Sequence, residues 1–373
     1  MFESPPLWMY LVGFLLVLGP LITVHELGHY LVGRWFGVEA KAFSIGFGSE
    51  LFGWTDKRGT RWRLAALPLG GYVQFKGDMN PASVPGGVGE EEPEPGSFQS
   101  ATLWKRALIV AAGPVTNILV AIAIFFAFNV IYGKPMPVDP SETGVIASFS
   151  EESAARDAGF EVGDRIITID GEEVENWLQV QRSIQIYPSR TFDFTLVRND
   201  QELDISVTSR PIEVEDGFGN KSTIGVIGVM PKDATVQFEP LTITQSAVRS
   251  VTQCVDIFDM IITGIGQIIS GERSISELGG PIKIAKFSGE RLSLGLTEFV
   301  FFCALISLNL AFINLLPIPA LDGGHLAFYA AEAIRRKPVG PQATEWAYRV
   351  GIVLVLMFMG FAIVNDFITI PFF

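Results

Sequence analysis

Thr23-Val24-His25-Glu26-Leu27-Gly28-His29-Tyr30 is the stretch around which this chain is organised. His25 and His29 are four residues apart, so on a helix both imidazoles leave one face and can grip one metal ion, with Glu26 beside them as a base. The setting sharpens the reading, because Leu7 to Val32 is otherwise apolar, apart from small and aromatic residues, and is long enough to cross a bilayer. Ionisable side chains in such a segment cost on the order of a few kcal/mol each, so they should face a polar interior and have a function there. Met1 to Pro6 holds Glu3 and no Lys or Arg, so the block reads as a retained membrane helix rather than a cleaved leader.

Working outward, 49% of the 373 residues are hydrophobic and the excess is gathered in a few blocks, which points to a polytopic α-helical membrane protein. A net charge of -13 without any basic stripe excludes nucleic acid as a partner. The two cysteines, Cys254 and Cys303, lack C-x-x-C spacing, so a metal must be held by His and carboxylate. Four transmembrane helices are expected: residues 1–32 with the His motif, 107–132, 296–318 and 346–367. Between the first two, Arg34, Lys41, Lys57, Arg58, Arg61, Arg63, Lys76, Lys105 and Arg106 mark a cytoplasmic loop, and Arg335, Arg336 and Lys337 mark another after the third. Both termini then lie outside, and His25, His29 and Asp322 lie towards the cytoplasmic side.

Residues 33–77 change to short alternating runs punctuated by Gly: 42–48, 51–54, 61–67 and 71–75, with a turn at Asp56-Lys57-Arg58-Gly59. They read as a small membrane-associated β-sheet whose edge could take up an extended peptide, or as a hairpin that merely packs the helix end. Residues 78–106 form an acidic Pro/Gly linker. The stretch 141–232 is soluble in composition. Its runs Ala154-Ala155-Arg156-Asp157-Ala158-Gly159 and Gly163-Asp164-Arg165-Ile166 resemble a PDZ domain of the bacterial, protease-associated kind, which implies peptide capture by strand addition or a steric gate. Residues 233–295 read as an amphipathic helical region on the outer face, and 319–345 as a cytoplasmic-side loop and helix.

A catalytic zinc takes three protein ligands and leaves one position to water. His25 and His29 supply two, and Asp322 is the best third, being the only acidic residue between Glu298 and Glu332. Pro317 and Pro319 stop the helix before it, and Gly323-Gly324 let the chain turn closely. An ordinary helix N-cap is the competing role for Asp322. His325 reads as a supporting or interfacial residue. Glu26 would take a proton from attacking water and pass it to the leaving nitrogen. Asn314, and less directly Asn309, could hydrogen-bond a substrate or stabilise an oxyanion, or tie helices together.

H-E-L-G-H in the first span, Gly46-Phe47-Gly48 after it, the PDZ-like region after the second, and Asn314-Leu315-Leu316-Pro317-Ile318-Pro319-Ala320-Leu321-Asp322-Gly323-Gly324 after the third together resemble the site-2 protease family. The closest likeness is to the bacterial regulator-of-sigma-E proteases. That resemblance implies a zinc intramembrane endopeptidase of the bacterial inner membrane, multi-pass, with both termini and the PDZ domain in the periplasm. Its substrates would be single-pass membrane proteins, of the anti-sigma-factor or remnant-signal-peptide type, cut after a first protease has trimmed them. It also implies zinc ligation by His25, His29 and Asp322, Glu26 as base, and substrate contacts at Asn309, Asn314, Gly46 and Gly48. The chain has space for a single PDZ domain where the best-known members carry two. Two other classes compete: a non-catalytic PDZ-bearing membrane scaffold, and a transporter, for which paired repeats of broken helices are absent.

Overall fold

The computed structural model describes residues 5–77, 94–137, 144–174, 177–215, 221–231, 236–337 and 340–369. Helix α1 (Leu7–Trp35) leads into strands β1 (Ala40–Thr55) and β2 (Arg61–Phe75) and then helix α2 (Leu103–Tyr132). There follow β3 (Lys134–Pro137), β4 (Ile146–Phe149), α3 (Ala154–Asp157), β5 (Arg165–Ile169), β6 (Glu172–Glu173), α4 (Trp177–Gln185), β7 (Thr191–Arg198) and β8 (Gln201–Thr208). The chain continues through β9 (Arg210–Glu215), β10 (Lys221–Val226), β11 (Val229–Pro231), β12 (Val236–Glu239), α5 (Ile243–Ser270), α6 (Pro281–Ser293), α7 (Leu296–Leu315), α8 (Asp322–Arg335) and α9 (Pro341–Thr369).

Among the described residues, five helices are long and apolar enough to cross a membrane: α1, α2, α5, α7 and α9. The four expected spans are among them: α1, α2 and α9 run on beyond their apolar blocks, whereas α7 ends at Leu315, short of the expected 318. Helix α2 starts at Leu103 because Lys105 and Arg106 continue the helix beyond the apolar run. Residues 78–93 of the expected linker lie outside the described residues, as do 141–143, 175–176, 216–220 and 232 of the PDZ-like stretch.

The chain divides into two compact units, one of residues 126–277 and the other of 4–125 with 278–373. The second holds the His motif. Its β1–β2 ladder folds back on itself, so that Phe43 lies opposite Val73 on one side and Trp62 on the other. The expected short runs therefore join into two long strands. Gly46 and Gly48, at φ +92° and +90°, bend β1 where a side chain would be strained. Phe43, Phe75, Phe98, Ile109 and Tyr30 form a buried cluster that fixes this sheet to the end of α1 and the start of α2. Asp56 pins the turn: its carboxylate accepts from Trp62 Nε1 at 2.9 Å, from the Thr60 and Arg58 N–H groups, and from the Tyr30 hydroxyl of α1. Those donors, Trp62 foremost, hold the Asp56 carboxyl below its ordinary range.

Helix α6 lies against α1 at a glycine contact. A Cβ on Gly13 would come within 2.8 Å of the Ser288 carbonyl, so only glycine lets the backbones approach this closely. The N-terminus of α6 is capped from a distant element, since Asp366 near the end of α9 accepts from the N–H groups of Gly280, Ile282 and Lys283 at 2.9–3.0 Å.

In the other unit, β6-β5-β7-β8 form a four-stranded sheet. Strand β7 alternates as its sequence dictates, with Phe192, Phe194 and Leu196 buried against Ile166, Val207, and Val180 and Ile184 of α4. Helix α5 belongs to this unit and ends on it, because Gln267 and Arg273 both donate to the Ile186 carbonyl after α4. It buries Ser246, Ser250 and Cys254 and leaves Val248, Val251, Val255 and Ile262 exposed, so its apolar face points outward.

Candidate active site

Helix α1 runs unbroken through the motif, and the four-residue spacing does what geometry requires of it. His25 and His29 stand edge to face with ring centroids 4.8 Å apart, and their Nε2 atoms are 3.2 Å from one another. Asp322 arrives from a segment about 300 positions further along the chain. Its Oδ2 lies 3.1 Å from His25 Nε2 and 3.5 Å from His29 Nε2, and the three ligand atoms all fall within 4.8 Å of one another.

The delivery of Asp322 is a matter of local chain chemistry. Helix α7 ends at Leu315, and Leu316 is extended (φ -62°, ψ 140°), as a residue before proline prefers. Pro319 and Ala320 then form the centre of a turn closed by Leu321 N–H to Ile318 O at 3.0 Å. Ala320 takes φ +93°, a left-handed conformation that costs a non-glycine residue on the order of 1 kcal/mol. Helix α8 begins at Asp322 with Leu321 as its N-cap, and the Asp322 carboxylate lies against the two histidines. Gly323 and Gly324 sit against the carbonyls of Leu315, Leu316 and Ile318 so closely that a Cβ on either would collide. An ion pair between Arg106 of α2 and Glu332 of α8, at 2.9 Å, holds the rest of α8 in place.

The residues fit a metal. His29 Nδ1 is 2.8 Å from the Ile109 carbonyl, which makes it the N–H donor and leaves the Nε2 lone pair facing the cluster. Asp322 Oδ2 is buried and, among the described residues, receives no hydrogen bond. A buried, unsatisfied carboxylate oxygen beside two imidazole nitrogens is the donor set of a zinc site that keeps one position open. Space for it is kept by Gly113 of α2, where a Cβ would come within 2.8 Å of His25 Cε1 and closer still to the His29 ring.

Glu26 is half-buried beside the pair. The neighbouring Gly71 is where the sheet meets α1: a Cβ there would be 3.1 Å from Glu26 Cγ and 3.3 Å from Ile22 Cγ2. The sheet thus reaches the motif at Gly71. Gly46 and Gly48 lie elsewhere in the hairpin, Gly46 buried against the Ala65 and Leu67 carbonyls and Gly48 exposed. Asn309 and Asn314 sit half-buried on α7 and make no hydrogen bond to the three ligand residues among the described contacts. His325 turns to α9, 2.6 Å from the Tyr348 hydroxyl, outside the ligand cluster. The site residues that the sequence reading does not assign are Gly113, Asn117 and Gly71. The only signal for the first two is a Gly-Pro pair and an Asn inside an apolar span.

Comparison with known proteins supplies a frame for this geometry. The family model described as peptidase family M50 matches residues 13–358. A candidate zinc metalloprotease of Agrobacterium fabrum is 43% identical over 96% of this chain and 95% of its own length. Another, from Mesorhizobium japonicum, is 42% identical over 95% of this chain and 98% of its own. The metalloprotease MmpA of Caulobacter vibrioides is 33% identical, again over 95% of this chain and 94% of its own. A solved PDZ domain of an SdrC-like protein from Listeria monocytogenes is similar at 19% identity with a TM-score of 0.21, covering 25% of this chain and 90% of that one.

Proposed function

This chain belongs to peptidase family M50, the zinc-dependent site-2 proteases, and on that premise we propose that it hydrolyses peptide bonds in or beside transmembrane segments. As a family member it is a zinc metalloendopeptidase and a multi-pass membrane protein. The observation that carries the finer reading is the meeting of His25, His29 and Asp322 next to Glu26, with Gly71 of β2 against the Glu26 side chain.

In this reading His25, His29 and Asp322 hold the zinc. Zinc, when bound, supplies Lewis-acid polarisation and a nucleophile at neutral pH. Glu26 takes the proton from the attacking water and returns it to the amide nitrogen that leaves, which balances the hydrolysis. A helix hides its peptide bonds, so the substrate must unwind first. Residues 71–75 give it a strand to pair with, aligned past Glu26. Asn314 and Asn309 contact the unwound chain, and Gly46 and Gly48 give the hairpin the bend that aims that edge.

The substrates are single-pass membrane proteins of the anti-sigma-factor or remnant-signal-peptide type, cut after a first cleavage in regulated intramembrane proteolysis. The protein sits in the bacterial inner membrane, in contact with the lipid bilayer, with both termini and the PDZ-like region in the periplasm and the active site towards the cytoplasm. The PDZ-like region takes a peptide or protein ligand. Cleavage of a tagged, pre-trimmed single-pass substrate in lipid tests the reading. Wild type should cut, while Glu26→Gln and chelator-treated protein should not. Cleavage that persists in Glu26→Gln would remove the base from this account.

A further inference from the structure

An imidazole can offer its Nε2 lone pair to a metal only when its proton sits on Nδ1, and a buried Nδ1–H then needs an acceptor. For His29 that acceptor is the Ile109 carbonyl, at 2.8 Å. His25 turns its Nε2 to the same point, 3.1 Å from Asp322 Oδ2, so its Nδ1 faces away from the cluster. There it meets the side-chain amide of Asn117 on α2, 3.4 Å away. Asn117 has 0% of its surface exposed, and its Oδ1 has no partner among the described residues. The two ends of an amide exchange by one rotation of the last torsion, and only the carbonyl end can accept from Nδ1–H.

We propose that Asn117 is a positioning residue whose carbonyl oxygen accepts the His25 Nδ1–H and so fixes Nε2 as the metal-binding atom. The juxtaposition is built into the bundle. The Ser307 hydroxyl of α7 donates to the Asn117 backbone carbonyl at 2.8 Å, holding that turn of α2 in place. Ile109 and Asn117 thus act on the two histidines from the same helix, one through its backbone and the other through its side chain. Loss of such an outer hydrogen bond weakens a metal site about 10–100-fold.

The inference rests on the metal-site reading above, and zinc affinity separates the two. The measurement is competition with a chromogenic chelator on purified full-length protein in detergent. Asn117→Leu, close in size but without an acceptor, should bind zinc about 10–100-fold more weakly. Asn117→Asp, which keeps an acceptor, should bind it as wild type does. Wild-type affinity in Asn117→Leu, or equal weakening in Asn117→Asp, overturns the proposal. Retention of zinc by Asp322→Asn instead overturns the metal-site reading itself. Nitrogen-15 histidine spectra of zinc-loaded wild type give a test that needs no variant to fold: a proton on His25 Nδ1 is expected, and a proton on Nε2 overturns the assignment.

Discussion

At the scale of residues, the site is assembled from two kinds of position. His25, Glu26 and His29 declare themselves by spacing, and Asp322 by being the lone carboxylate among prolines and glycines, so all four are legible in the sequence. Gly113 and Asn117 are not. Their roles arise where α2 crosses α1, and no periodicity marks which side of an apolar helix will face a histidine. Gly71 is hidden for a similar reason, since its value lies in what the folded sheet brings near it. Gly113 gives the sharper test. Gly113→Ala would push a methyl into both rings and should abolish zinc binding and cleavage, with at least a 100-fold loss expected for a displaced ligand pair. Wild-type zinc content in that variant would show that the rings have room the geometry denies them.

At the scale of elements, apolar length announces the spans, but it does not announce how their ends are tied. Asp366 looks out of place near the end of an apolar helix until its three N–H partners at the start of α6 are seen. Asp366→Ala leaves those donors bare in a buried place and should cost on the order of 3 kcal/mol, read as a lowered unfolding midpoint in detergent. Asp164 plays a comparable part in the β-rich unit. Burial pushes its carboxyl up, but the paired Arg198 guanidinium at 2.7 Å and the Glu161 N–H outweigh it, and the net position is below the ordinary 3.8. A carboxyl lowered by folding adds stability above its unfolded value and loses that contribution as pH falls through the folded value. Hydrogen exchange of β5 and β7 should therefore accelerate as pH is lowered beneath 3.8 after correction for intrinsic rates, and Arg198→Leu should remove that dependence. The sheet of residues 40–75 was only half legible: alternation and Gly marked the strands, but the bends at Gly46 and Gly48 continue β1 where the sequence suggests that it stops.

At the scale of the whole molecule, α5 decides the topology. Among the described residues it is the least apolar of the five candidate helices. Polar residues such as Arg249, Asp256 and Asp259 make a surface helix the natural reading, and its exposed side carries Asp256 and Asp259 beside Val248, Val251, Val255 and Ile262. A helix lying in the interface presents such a side to the lipid just as a span does. The two arrangements differ in parity. With α5 on the surface, four spans put both termini on one side, and single cysteines placed near residues 5 and 369 should both react with an impermeant thiol reagent from the periplasm. Labelling of one end only would make α5 the fifth span. The fold class was legible from composition, because bilayer thickness imposes a length that a sequence displays. Topology is less so, because one amphipathic helix, the least apolar of the five, decides the count.

In the proposed site two distant segments, at residues 25–29 and at residue 322, close on one zinc ion that Glu26 serves without holding. Zinc per polypeptide, measured by elemental analysis on wild type, Glu26→Gln and Asp322→Asn beside a cleavage assay on the same samples, tests it most directly. One zinc and cleavage are expected for wild type, one zinc without cleavage for Glu26→Gln, and neither for Asp322→Asn. An Asp322→Asn protein that keeps its zinc and still cuts would contradict it.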